Sequence, residues 1–181
     1  RKGGIIAIRL NEGDELRWVK MTSGNEDLII ATKKGMAIRF NENDARPLGR
    51  TAHGVRAIRL KDNDEVIGMT VVDNEHTIFT VTETGYGRRS SFDDYRLQSR
   101  GGLGIMNYRC AKFGDVAEIC TVKPEDDLIL ISSDGIVIRI AVDSVSTFNR
   151  PAKGVRVMKV KDGEKLITAA VTDKVEEKTE D

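Results

Sequence analysis

The chain has 181 residues, 39% of them hydrophobic and 32% charged, with 29 basic against 29 acidic side chains. That length can bury a sizeable core, and the composition is that of a globular protein rather than a disordered or fibrous one. No apolar run approaches the ~20 residues of a membrane-spanning helix, and nothing resembles a signal peptide. Cys110 and Cys120 carry no C-x-x-C spacing and have no histidine close in sequence. They argue against a disulfide framework or a metal site and fit a reducing cytoplasm.

Read in chain order, residues 4–10 (GIIAIRL) have the pattern of a β-strand. The turn NEGD leads to a second strand, ELRWVKM (15–21). DLIIAT (27–32) is a third, apolar on both faces, so it predicts a sheet covered on both sides. The Gly-ended link KKG then leads to a fourth strand, GMAIRF (35–40), with the chemistry of a tight hairpin. At residue 54 the pattern restarts. GVRAIRL (54–60), GIMNYRC (104–110) and GVRVMKV (154–160) each follow 50 residues after the previous copy.

Many columns keep this register. Gly35, Gly85 and Gly135 align, as do Arg39, Arg89 and Arg139, and Arg50, Arg100 and Arg150. Arg9, Arg59, Arg109 and Lys159 keep one column basic, while Leu16, Val66, Val116 and Leu166 keep another apolar. TIFTVT (77–82) and DLILIS (127–132) repeat the third strand. No segment shows a convincing 3.6-residue period. The chain therefore divides into repeats 1–50, 51–100 and 101–150 and a partial fourth, 151–172, followed by an acidic tail, 173–181. Four strands per ~50 residues predict an all-β propeller or related radial array, here an incomplete ring.

GVRAIRLKDNDEVIGM (54–69), TETGYGRRSSFDDYRLQSRGGLGI (82–105), SSDGIVIRIAVDSVS (132–146) and NRPAKGVRVMKV (149–160) resemble the C-terminal domain of the A subunit of bacterial DNA gyrase. The resemblance runs from Arg1 to about Thr172. It implies a β-pinwheel, a six-bladed propeller variant whose blades exchange strands, wrapping duplex DNA around a basic rim with a fixed hand. It also implies that this chain is no enzyme by itself but part of an ATP-dependent type II topoisomerase that introduces negative supercoils. In that family the catalytic tyrosine lies elsewhere in the A subunit, the ATPase in the B subunit. The implied partners are double-stranded DNA and the rest of a holoenzyme of two A and two B subunits, which uses ATP and Mg. No cofactor, metal or membrane is implied for this chain. The compartment would be the bacterial cytoplasm, at the nucleoid.

The family's hallmark is the box Q-R-R-G-G-K-G. Here Gln98, Arg100, Gly101, Gly102 and Gly104 match it, while Ser99 and Leu103 replace basic residues. The stretch reads either as a degenerate copy of the box in a later blade, with the true box upstream, or as an inter-blade turn. Opening at Arg1 rather than Met, the chain reads as a piece of a longer protein, its last three to four blades.

A wrapping surface needs many modest phosphate contacts along an arc, because phosphates position DNA without reading sequence. The candidate contacts are Arg50, Arg100 and Arg150, with Arg56, Lys153 and Arg156 beside them, and Arg39, Arg89 and Arg139 at strand ends. Each repeated arginine has an alternative reading as a fold-internal ion pair, since repetition preserves fold and function alike. No catalytic set appears: His53 and His76 fall at unrelated repeat positions, and GGLG precedes a strand rather than a helix. Two rival functions remain, the C-terminal propeller of the topoisomerase IV counterpart and a protein-binding propeller. The tail holds five acids and two lysines, a net −3, so residues 1–172 carry +3. It is expected to be disordered and to compete with DNA for the rim. An open ring leaves a sheet edge, for which capping by strand exchange or by a dimer partner is expected.

Overall fold

The structure, a computed structural model, describes residues 3–173. It is built from β1 (Asp27–Thr32), β2 (Met36–Asn41), β3 (Val66–Val71), β4 (Thr77–Thr82), β5 (Tyr86–Ser91) and β6 (Ile105–Met106). A single helical turn, α1 (Cys110–Phe113), precedes β7 (Val116–Val122), β8 (Asp127–Ser132), β9 (Val137–Ala141), β10 (Val155–Arg156) and β11 (Leu166–Thr172). Short 3₁₀ turns at Glu42–Asp44, Phe92–Asp94 and Val142–Ser144 close each hairpin.

The strands form three antiparallel sheets, ordered β3-β1-β2-β6, β10-β5-β4-β7 and β11-β8-β9. The central hairpin of each is local: Ile29 faces Arg39, Phe79 faces Arg89, and Ile129 faces Arg139. The flanking strands come from later repeats. β3 of the second repeat lies on β1 of the first, and β6 of the third lies on β2 of the first. The next sheet is its copy 50 residues on, with β7 on β4 and β10 on β5. The first two sheets are thus completed by the two repeats that follow, while among the described residues the third gains only β11, and strand exchange ties the blades together.

Alternation along the strands supplies the packing between sheets. Ile29 and Ala31 point into a core with Ile78, Phe92, Tyr95 and Ile119, between the first and second sheets. Phe79 and Val81 point the other way, onto Leu128, Leu130 and Leu166 of the third. β1 and β4 are therefore buried on both faces, whereas β8 buries Leu128 and Leu130 but leaves Ile129 and Ile131 half-buried, since among the described residues no further sheet covers that face. β3, β7 and β11 run along the inner side of the arc, where Thr70 and Thr121 hydroxyls meet at 2.6 Å and the Thr168 hydroxyl donates to Glu118 at 3.4 Å.

Three expected strands do not form. Residues 4–10, 15–21 and 54–60 have no ladder partners, and the opening strands that do form, β6 and β10, are two residues long. In the completed sheets the opening segment docks on a hairpin two repeats earlier, and the described residues contain no such host for 4–10 or 54–60. Ile5, Ile6, Val19 and Met21 are accordingly exposed. α1 departs from the all-β expectation as well: CAKFGD stands where the other repeats carry a plain turn. Apart from Asp173, the tail 173–181, and with it the expectation of disorder, lies outside the described residues.

Candidate nucleic-acid interface

The linker that carries QSRGGLG runs from the second hairpin, across the opening segment of its own repeat, to β2 of the first repeat. Gln98 N–H donates to Arg39 O at 2.9 Å, Gly101 N–H to Ala57 O at 2.7 Å, and Gly102 O accepts from Arg59 N–H at 2.8 Å. At Gly104 the chain turns with φ +73° directly against β2. A Cβ there would stand 2.8 Å from the Ala37 carbonyl carbon and closer still to its oxygen. Gly154, with φ +77°, repeats the arrangement against Gly87. Gly104, like Gly154 at the equivalent position, therefore lets one backbone cross another.

The three arginine columns divide by what their charge meets. Arg100 Nε donates to Asp44 O at 3.1 Å and its Nη1 to Arg56 O, while Arg150 Nε donates to Asp94 O at 3.1 Å and its Nη1 to Met106 O. These guanidiniums staple a 3₁₀ turn to a segment 44 residues back along the chain, but carbonyls carry no net charge, so the positive charge persists at the surface. Arg39 and Arg139 instead bind carboxylates, Asp27 at 2.8 Å and Asp127 at 2.7 Å, which cancel much of theirs. Arg89 donates to Val145 O at 2.6 Å. Arg50 and Arg56 are exposed.

A basic cluster lies on the outer edge of the second sheet. Arg156 donates from Nη2 to the Tyr86 hydroxyl at 2.7 Å, and Lys153 Nζ stands 3.8 Å from the Tyr86 ring centroid. Lys153 is also 5.5 Å from the Phe113 ring, with Lys112 at 5.8 Å from the same ring. Among the described residues neither Lys153 nor Arg156 has a carboxylate within ion-pair distance. Hydrogen bonds and the charges of Arg156 and Lys153 hold the Tyr86 phenol below its ordinary range. Rings beneath cations contribute about 0.5–1 kcal/mol each at an exposed site and hold the charges in place without neutralising them.

Tyr86 and Lys112 escaped the sequence reading. Tyr86 stands in the column of Met36 and Ile136, and that break in an apolar register was the available signal. A second break is Arg88, in the column of Ile38 and Ile138. It is fully buried and donates to Ala152 O, Ser90 Oγ and both oxygens of Asn107, over the Tyr108 ring.

The inner side of the arc has the opposite character. A cleft of about 800 Å³ there is lined by Asp14, Glu15, Asp64, Glu65 and Glu118, with Arg17 the only basic group among its described lining residues. Burial pushes the Glu118 carboxyl up to about 6. Such a surface repels phosphate. Burial likewise raises both thiols, Cys110 to about 11 and Cys120 to about 12, which makes them poor nucleophiles and poor metal ligands. Among the described residues no three His, Cys, Asp or Glu side chains converge on a metal-sized space, and no helix is long and apolar enough to cross a membrane.

The family model described as DNA gyrase C-terminal domain, beta-propeller, matches residues 1–23, 26–73, 76–115 and 126–173. The chain belongs to this gyrase C-terminal domain family. It is 64% identical over 55 residues to the DNA gyrase A subunit of Clostridium acetobutylicum, a match covering 30% of this chain and 7% of that protein. The corresponding figure for Halalkalibacterium halodurans is 56% over 55 residues. A solved gyrase A C-terminal domain superposes with TM-score 0.83 at 28% identity, covering 93% of this chain and 58% of that one. A topoisomerase IV C-terminal domain superposes with TM-score 0.86 at 20% identity, covering 92% and 53%, and shows a shared fold. This gyrase-type domain thus spans a small part of the curated relatives and little more than half of the solved domains.

Proposed function

We propose that the chain binds double-stranded DNA without sequence preference on its outer rim and bends it along the arc, as part of a DNA gyrase A subunit. Family membership supports this reading, and one observation carries it: Lys153 and Arg156 stand over Tyr86 with no carboxylate partner among the described residues. Arg100 and Arg150, whose charges meet only carbonyls, and exposed Arg50 and Arg56 extend the positive surface from blade to blade. Arg39, Arg89 and Arg139 serve first to hold the hairpins, and any phosphate contact they make is secondary. Gln98, Gly101, Gly102 and Gly104 shape the crossing from which Arg100 is presented.

The chain itself performs no bond chemistry in this reading and needs no cofactor. Strand passage, ATP hydrolysis with Mg, and the catalytic tyrosine belong to the rest of a holoenzyme of two A and two B subunits in the bacterial cytoplasm, at the nucleoid. Wrapping with a fixed hand would present a crossover to that machinery and bias it toward negative supercoiling. The acidic tail 173–181 competes for the rim, so ending the chain at Thr172 tightens DNA binding at low salt.

The test is fluorescence anisotropy on duplexes of unrelated sequence across a salt series. Equal affinities for all duplexes and a linear fall of log K with log salt are expected. Sequence-selective or salt-independent binding overturns the reading, and absence of binding favours a protein-binding propeller.

A further inference from the structure

Two groups of positions change character together between the first sheet and the second. On the rim, Tyr86, Lys153 and Arg156 stand in the columns of Met36, Leu103 and Met106. Behind it, Arg88, Ser90 and Tyr108 stand in the columns of Ile38, Phe40 and Ile58. Around the first sheet, Ile38, Phe40 and Ile58 are buried with Ile30 in a plain apolar cluster, and the rim beside them shows exposed, uncharged Leu103 and Met106. Around the second, the same interior is a polar network, and the rim is the cation cluster on Tyr86. Both sheets are closed by later strands in the same way, so the contrast lies in the side chains.

The network ends on the linker that carries Lys153. Ser90 Oγ donates to Phe148 O at 2.7 Å, Arg88 Nε donates to Ala152 O at 3.0 Å, and the Tyr108 hydroxyl donates to Lys153 O. Arg88 also donates from Nη1 to Ser90 Oγ at 2.7 Å and from Nη2 to Asn107 Oδ1 at 3.1 Å, with its guanidinium 5.2 Å from the Tyr108 ring centroid. Arg88, Ser90 and Tyr108 are all buried, so three interior side chains grip three carbonyls of residues 148–153. Closing the sheet does not require this. Burying a guanidinium carries a desolvation cost, and apolar residues of similar volume commonly serve stability as well or better. The first sheet closes with Ile38, Phe40 and Ile58 in these places. Among the described residues Arg88 meets no carboxylate, only neutral acceptors. What the network adds is direction, because hydrogen bonds fix the carbonyls that apolar packing would leave free to turn.

We propose that Arg88 and Tyr108, joined by Ser90, are positioning residues of the basic rim: they clamp the backbone at Ala152 and Lys153 so that the Lys153 ammonium stays over Tyr86. Arg156 is placed by its own strand pairing with Tyr86, whereas Lys153 lies outside any strand and depends on the clamp. None of the three clamping side chains needs to touch DNA. The proposal rests on the DNA reading for what the held cation does, but not for how it is held.

Tyr108→Phe tests it, because it keeps the ring under Arg88 and removes only the hydroxyl that binds Lys153 O. The first readout needs no DNA. The chain has three tyrosines, and burial raises Tyr95 and Tyr108, so the first tyrosinate to appear in an absorbance titration of the folded chain is Tyr86, lowered by its hydrogen bonds from Arg156 and Lys153. Tyr108→Phe is expected to move that step to higher pH, as Lys153→Gln does, and the double variant matches Lys153→Gln alone. The second readout is duplex binding. The slope of log K against log salt falls by up to about 0.9 in each single variant and by no more in the double. Thermal unfolding confirms that the variants fold. Arg88→Met is expected to repeat both effects, and where it does not fold Tyr108→Phe decides. A Tyr86 step unmoved by Tyr108→Phe overturns the proposal, since a hydroxyl that only supports the fold would lower Tm without touching that phenol. Effects of Tyr108→Phe and Lys153→Gln that add in full overturn it as well. A parent that binds no duplex overturns the DNA reading instead, and the titration still decides whether the clamp holds Lys153.

Discussion

Gly104→Ala tests whether the QSRGGLG stretch is built for a backbone crossing. Two costs add. A non-glycine residue in the left-handed region at φ +73° loses about 1–2 kcal/mol. The new methyl would also overlap the Ala37 carbonyl, a rigid part of β2 that cannot swing aside as a side chain end would. Overpacking of this kind costs about 1–3 kcal/mol. The sum is about 2–5 kcal/mol, and at roughly 2–4 °C per kcal/mol for a chain of this size it lowers Tm by about 4–20 °C. Gly135→Ala is the internal control, because φ is +80° but nothing lies within 4 Å, so only the first cost applies. Chemical denaturation of dilute samples reads both, and amide exchange at Ile105 shows whether β6 leaves β2. Equal losses in the two variants would refute the close-approach reasoning.

Other outcomes follow from the same geometry. Arg88→Met leaves Ala152 O and Asn107 O buried without their donor and is expected to cost about 3–5 kcal/mol by denaturant titration; a loss below about 1 kcal/mol would show that the network relaxes freely. Lys153→Gln and Arg156→Gln should each weaken DNA binding uniformly across sequences and reduce the slope of log K against log salt by about 0.9, without changing Tm. Glu118→Gln tests the carboxyl raised from 4.5 to about 6. Below 4.5 both folded and unfolded states hold the proton, and variant and parent match. Between 4.5 and 6 only the folded parent holds it, so the parent loses stability as pH rises. Above 6 the variant is the more stable by at most about 2 kcal/mol, less in practice because water reaches part of the carboxylate. Thermal melts from pH 4 to 8 read the difference, and a constant offset across that range would contradict the burial argument.

The 50-residue register made the central hairpins legible, because Gly35, Gly85 and Gly135 and the apolar strands before them are short-range signals. What a single repeat cannot show is where its opening segment goes. GIIAIRL and GIMNYRC have the same local pattern, yet only the second finds a host hairpin two repeats back, so only Ile105–Met106 is paired. The arginine columns were found but could not be sorted from sequence. Arg39 and Arg100 look alike until the structure shows one on a carboxylate and the other on carbonyls. Tyr86 and Arg88 were legible only as breaks in an apolar column, and that signal points to two different outcomes, one half-buried under cations and one fully buried.

Linking-number change is the measurement closest to the central claim. Nicked circular DNA is ligated with rising amounts of the chain, deproteinised and resolved on a gel, with occupancy measured in parallel. A positive shift that grows with occupancy is expected if the basic rim bends DNA along the arc with the hand the family implies. An unchanged linking number at full occupancy, or a negative shift, would contradict it.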